Sequence, residues 1–261
     1  MRLPAYFIGH GSPMNAIEDN PYTRRLALIP RELPETPKAI LMISAHWLTR
    51  GTFISAAEHP ETIHDFGGFS DELFAVQYPA PGAVELAKKV MAIAPEVHAD
   101  PNYGLDHGAW AVLRHMFPNA DVPVTQLSID YYQPPKYHFE LGRKLSTLRD
   151  EGVLIIASGN VVHNLRMYFT SQGKQLPWAV EFDRFVKEKL LAKDFEAILE
   201  YKSFGEAAAL SVPSIDHFAP IFYILGATRD DGKIEIIYEE VDGAVSMLSF
   251  QAGEALNPSS G

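Results

Sequence analysis

Residues 39–43, Ala-Ile-Leu-Met-Ile, form the strongest of several uninterrupted apolar runs, which gives way to Ser44-Ala45-His46. A short run without polar alternation suits a strand covered on both faces, as in a parallel sheet. Residues 6–8, 122–129 and 153–157 carry the same pattern, and further strands are predicted at 234–238 and 245–250. Elsewhere the apolar period lengthens. Residues 83–94, 138–148 (opened by Pro134-Pro135), 178–191 and 195–201 set apolar positions on one face among charges, as amphipathic helices do. Residues 217–225 are mostly apolar and predict a buried helix with Gly226 as its C-cap.

Strands alternating with helices define the fold class as α/β, with a central, largely parallel or mixed sheet flanked by helices. No repeat or low-complexity linker divides the chain, so one domain over residues 1–261 is expected. The Gly/Pro-rich stretch 64–81 reads as a long functional loop. Within it Gly67-Gly68 suits a lid, a substrate wall or an ordinary turn. Residues 257–261 read as a frayed tail.

Composition then narrows the chemistry. Hydrophobic residues are 47% and charged residues 21% of the 261, enough for a full core. No apolar stretch of about 18 residues predicts a membrane span, and the first residues lack a signal peptide's apolar run. A cytoplasmic location is expected. The absence of cysteine excludes disulfides, thiolate metal sites and a cysteine nucleophile, leaving nitrogen and oxygen to hold any metal. A net charge of −11 argues against nucleic acid and anionic membranes as partners. A small-molecule substrate fits best.

Ten histidines are present. His10 follows the first strand within Gly9-His10-Gly11-Ser12-Pro13, where the glycines allow a sharp turn and close access for a ligand. His46 follows the strongest strand, and His163 follows another in Ser158-Gly159-Asn160-Val161-Val162-His163. In open α/β sheets the carboxyl ends of the strands are where ligands bind. His217 opens the last buried helix beside Asp216, which suits either a helix cap or support of the site from behind. His107, in Leu105-Asp106-His107-Gly108, opens another helix. Singly, each reads as an ordinary packed histidine; jointly they point to a metal or acid–base cluster. His59, His98, His115 and His138 suit solvated or packing roles. No serine elbow, phosphate loop, dinucleotide fingerprint or His-Glu-x-x-His pattern competes.

Several motifs together resemble one family: Gly-His-Gly-Ser-Pro-Met-Asn at 9–15, Ser-Ala-His-Trp at 44–47, Ile-His-Asp-Phe-Gly-Gly-Phe at 63–69, Tyr-Pro-Ala-Pro-Gly at 78–82, Leu-Asp-His-Gly-Ala-Trp at 105–110 and Ser-Gly-Asn-Val-Val-His-Asn-Leu-Arg at 158–166. The chain resembles the 4,5-DOPA extradiol dioxygenases of the class III extradiol ring-cleaving superfamily, from Gly9 to about Gly226. The resemblance implies a metal site at the strand carboxyl edge, with His10 and His46 as metal ligands. It implies His163 as acid/base, with a working pKa near neutral, and His107 as a second active-site histidine.

Where many class III enzymes place a glutamate ligand, this chain offers Asp216-His217. The expected metal set is therefore His10, His46 and His217, with His163 as a fourth ligand or as the base. Iron(II) is expected for activity, and zinc(II), at home among nitrogen ligands, in isolated protein. A catechol such as L-DOPA and O2 are the implied substrates. Trp47 and Arg166 are substrate-binding candidates, with Tyr103, Phe66 and Tyr78 as further aromatic wall; such aromatics more often simply pack, and a structural ion pair explains Arg166 equally well. A zinc hydrolase using the same histidines, or a non-enzymatic metal-binding relative, stays open, as does a monomer or small homo-oligomer.

Overall fold

Alternation within the strands decides the layers. The computed structural model describes residues 2–228, 231 and 233–253, so the tail at 257–261 lies outside the described residues. Its strands are β1 (Ala5–Gly9), β2 (Ala39–Thr49), β3 (Thr52–Ser55), β4 (Val97–Asp100), β5 (Val124–Asp130), β6 (Val153–Gly159), β7 (Ile234–Tyr238), β8 (Val241–Asp242), β9 (Val245–Ser246) and β10 (Ser249–Ala252). The helices are α1 (Pro21–Glu32), α2 (Asp71–Phe74), α3 (Val84–Ile93), α4 (His107–Met116), α5 (Pro135–Leu145), α6 (Leu165–Ser171), α7 (Pro177–Leu191), α8 (Phe195–Leu199), α9 (Glu206–Ser211) and α10 (Ala219–Ala227). Phe7, Leu41, Ile43, Ile155 and Ala157 face a core shared with α3, α5, α7 and α10. Their neighbours Tyr6, Ile8, Ile40, Met42, Leu154 and Ile156 face a second core under α1 and α4. Both faces of the sheet are dry, which is why these strands read as continuous apolar runs.

Eight strands form one sheet in the order β4-β3-β5-β2-β6-β1-β10-β7. The centre, β5-β2-β6-β1, is parallel. β10 runs antiparallel to both β1 and β7, and β3 antiparallel to β5, so the sheet is mixed. Among the described residues no helix is long and apolar enough to cross a membrane.

Several boundaries differ from the apolar pattern. Residues 245–250 split between β9 and β10 instead of making one strand. β2 continues past His46 to Thr49, and its register with β5 shifts between Ile43 and Leu48. Such an irregularity re-aims side chains at a sheet edge. The last buried helix starts at Ala219, after His217, and Gly226 lies inside it instead of capping it. The glycine serves packing: a Cβ on Gly226 would lie 1.9 Å from the Phe139 carbonyl oxygen of α5. Gly226→Ala is therefore expected to cost about 2 kcal/mol through forced overpacking. Urea unfolding should show a lower midpoint at unchanged slope; an unchanged midpoint would mean that α5 and α10 part freely.

Candidate metal centre

Three parallel strands deliver their carboxyl ends to one edge, and the histidines arrive with them. His10 is the first residue past β1, and its N–H donates to the Gly159 carbonyl at the end of β6. His46 projects from β2 beyond Ser44, the last residue paired with β6. His163 lies four residues past β6, held by N–H donation to the Ser211 carbonyl. The Asn160 N–H donates to the His217 carbonyl and draws the segment before α10 to the same edge. His107 opens α4 because Asp106 caps the helix by accepting from the Ala109 N–H. A Cβ on Gly108 would lie 2.5 Å from Ser44 Oγ and 2.9 Å from His46 Cδ2, so only glycine lets this turn sit against β2. Of the glycines beside His10, Gly11 makes the turn with φ +62°, whereas Gly9 packs on the Met247 backbone and gives no ligand access.

The five rings converge. His10 Nε2 lies 3.1 Å from His46 Nε2, while His10 Nδ1 lies 2.9 Å from Ser158 Oγ. One nitrogen each from His10, His46 and His107 fall within 4.8 Å of one another, and ligand atoms of His163, Asp216 and His217 form a second such group. The His217 ring joins the two groups, its centroid 5.2 Å from that of His10 and 4.9 Å from that of His46. His163 stacks on His217 at 3.4 Å.

Burial sets their charge. Desolvation, reinforced by the neighbouring histidines, holds His10 and His217 well below the ordinary histidine range. Burial, helped by His107 and opposed by Asp65, brings His46 down to about 3. Burial also lowers His163 to about 4, with Asp216 opposing and His107 adding. That value corrects the expected near-neutral titration of His163, because the ring is largely removed from water. At neutral pH these four rings are uncharged and keep lone pairs. Two uncharged Nε2 atoms facing each other at 3.1 Å share at most one hydrogen, whereas a divalent cation accepts both lone pairs. The donor set fits a metal.

Carboxylates stand behind the rings. Asp216 Oδ2 lies 2.5 Å from His217 Nδ1, and α10 has no side-chain cap, so Asp216 supports the histidine. Asp65 lies within the 63–69 motif, where nothing in its type or spacing marks it as a site residue, yet it faces two rings. Its Oδ2 lies 2.9 Å from His107 Nδ1 and 3.4 Å from His46 Nδ1, and Oδ1 accepts the His107 N–H at 2.9 Å. Burial pushes the Asp65 carboxyl up, but the hydrogen bonds from His107 outweigh it and hold the group below the usual carboxylate range. Asp106 is fully buried beneath the same turn and accepts from Ser44 Oγ, Tyr103 Oη and Gln126 Nε2.

The aromatic and cationic candidates divide. Phe66 sets its edge against His107 at 5.6 Å. Tyr78 is buried, its hydroxyl donating to the Phe117 carbonyl, which makes it a core residue. Trp47 is buried face to face on Tyr103 at 3.8 Å. Arg166 is exposed in the first turn of α6, without an ion pair among the described residues. His59 and His98 are exposed, while His115 and His138 bond to the Asn15 carbonyl and the Tyr223 hydroxyl, as solvated and packing roles require.

Comparison with known proteins agrees with this arrangement. The family described as the catalytic LigB subunit of aromatic ring-opening dioxygenase matches residues 4–246, a span that holds all five converging histidines. The 4,5-DOPA dioxygenase extradiol of Escherichia coli K12 is 46% identical over 260 residues, covering 97% of this chain and 95% of that protein. Its namesake from Beta vulgaris is 36% identical over 247 residues, 92% of each chain. The crystal structure of an uncharacterized protein from Escherichia coli K12 matches with a TM-score of 0.84 at 43% identity, covering 97% of this chain and all of the other. With its mixed α/β sheet and its histidines at the strand edge, the chain belongs to the LigB family of aromatic ring-opening dioxygenases, among the 4,5-DOPA extradiol dioxygenases.

Proposed function

We propose that the chain is a cytoplasmic enzyme that opens the ring of a catechol such as L-DOPA by 4,5-extradiol cleavage with O2. The observation that carries the reading is the facing pair of uncharged imidazoles, His10 and His46, with three further histidines around them. His10, His46 and His217 are assigned to hold the metal, with His163 as a fourth nitrogen or as the base. Iron(II) held there supplies the electronic path by which catechol and O2 react.

The residues themselves hold and move protons. His163, uncharged at neutral pH, accepts a catechol hydroxyl proton on its ring nitrogen. His107, its Nδ1–H held by Asp65, takes up the other hydroxyl proton on Nε2 and returns it as the ring opens. Both atoms of O2 and both hydroxyl protons end in the ring-opened product, so no outside reductant is needed. Arg166 is assigned to the carboxylate of an amino-acid catechol; its guanidinium is exposed and has no ion pair among the described residues. Trp47, rigid on Tyr103, is assigned to the wall of the substrate site.

Iron(II)-loaded protein given L-DOPA in air is expected to form a yellow ring-opened product, followed by visible absorbance, and none without O2. Metal analysis of protein as isolated is expected to find zinc. Turnover that persists without O2 would assign the zinc hydrolase reaction instead, and iron loading without ring cleavage would overturn the dioxygenase reading for catechols.

A further inference from the structure

We propose that Asp65 is a positioning residue whose carboxylate fixes the tautomer and ring plane of His107, so that this histidine presents Nε2 to the centre. The inference rests on the dioxygenase reading only where activity is measured.

The geometry is that of a carboxylate gripping residue 107 by its ring and its backbone, with the His46 ring nearby. Asp65 Oδ2 stands 2.9 Å from His107 Nδ1 and 3.4 Å from His46 Nδ1. A carboxylate accepts and does not donate, so the His107 Nδ1 that faces it at hydrogen-bonding distance is satisfied as N–H. A hydrogen is thereby held on His107 Nδ1, which turns Nε2 toward the centre. The second oxygen, Oδ1, accepts the backbone N–H of His107 at 2.9 Å, so the carboxylate grips residue 107 at two points and fixes its ring plane.

Asp65 is held in place for this task. The Ile63 N–H donates to the Leu105 carbonyl and the Leu105 N–H to the Glu61 carbonyl, each at 2.8 Å, which ties the chain before Asp65 to the chain before α4. Trp110 Nε1 donates to the Ile63 carbonyl at 2.8 Å, and Phe66 closes over the His107 ring. The start of the 64–81 stretch is therefore anchored at the site. Asp106 does not duplicate this role, because its oxygens are taken by Ser44, Tyr103, Gln126 and the Ala109 N–H. An amide in place of Asp65 offers one acceptor where two donors of residue 107 need acceptance. With its oxygen on the backbone N–H, its NH2 would face Nδ1 and drive the ring proton to Nε2.

The test is nitrogen-15 spectroscopy of histidine-labelled protein, metal-free and zinc-loaded. Wild type is expected to carry the His107 proton on Nδ1; an Nδ1 without a proton in wild type overturns the proposal with no variant needed. Asp65→Asn, at a side chain 24% accessible, is expected to shift the His107 proton to Nε2 while zinc content is kept. In iron(II)-loaded protein the same variant should lower kcat about 10–100-fold, the usual cost of losing such an outer partner, with KM for the catechol near wild type. An unshifted tautomer in Asp65→Asn, or wild-type kcat, would overturn the assignment. If wild type opens no catechol, the dioxygenase reading fails, and the nitrogen-15 result still decides the role of Asp65.

Discussion

His46→Ala is expected to strip the protein of bound metal and, with it, of ring-opening activity. The ring reaches the centre from the irregular end of β2, and its Nε2 is one half of the facing pair with His10. A four-ligand zinc site is worth about 10–16 kcal/mol, so one nitrogen ligand carries roughly 3 kcal/mol and its loss weakens binding on the order of 100-fold. The fold should survive, because His46 is half-buried and packs beside the core without belonging to either apolar cluster. Two measurements separate the effects. Metal content after dialysis should fall while the circular dichroism spectrum is kept. Wild-type protein with metal at 100 times its Kd should gain about 2.7 kcal/mol of stability, and the variant should lose most of that gain in a thermal melt. A variant that keeps its metal and its metal-dependent melting shift would remove His46 from the ligand set.

Much of this site is legible in the sequence because the fold places it by a simple rule. His10 and His163 follow apolar runs that form the parallel centre of the sheet, and the ends of parallel strands share one edge. His46 obeys the rule less literally. The apolar run stops at Ile43, but β2 carries on through His46 because the pairing with β5 resumes at Leu48. Periodicity sees the loss of apolar character there and cannot see the resumed ladder. The same limit hides β3 and β4, each four residues long with polar positions among them, and α1, which has proline at its first position and again at Pro30.

Asp216 and Asp65 show the boundary more sharply. Asp216 lies next to His217 in sequence, so a supporting role can be named beside the capping role, and the 2.5 Å contact to the ring selects it. Asp65 has its partner 42 residues away across the chain. Its motif neighbours point to a loop, and only the pairing of residues 62 and 105 brings that loop to the start of α4. Long-range pairing of this kind leaves no local period. Gly226 fails in the opposite direction: a glycine at the end of an apolar helix is a sound C-cap signal, but here close contact with α5 claims it.

His163→Ala is expected to separate the two roles open to that residue. As the base, His163 contributes through proton transfer, so the variant should keep its metal and bind catechol while turnover falls by about 10²–10⁴-fold. Its position favours this outcome. The ring stacks flat on His217, 3.4 Å between centroids, and groups with Asp216 and His217, whereas the facing nitrogen pair belongs to His10 and His46. A half-buried ring held at about 4 by desolvation stays uncharged across the neutral range, and Asp216 stabilises the positive charge that the ring acquires on accepting a proton. Metal content, catechol binding by visible titration under argon, and single-turnover rates in air read the three properties separately. Loss of metal in His163→Ala would make the ring a ligand first, and unchanged turnover would pass the proton to His107, the other histidine whose ring reaches the same centre.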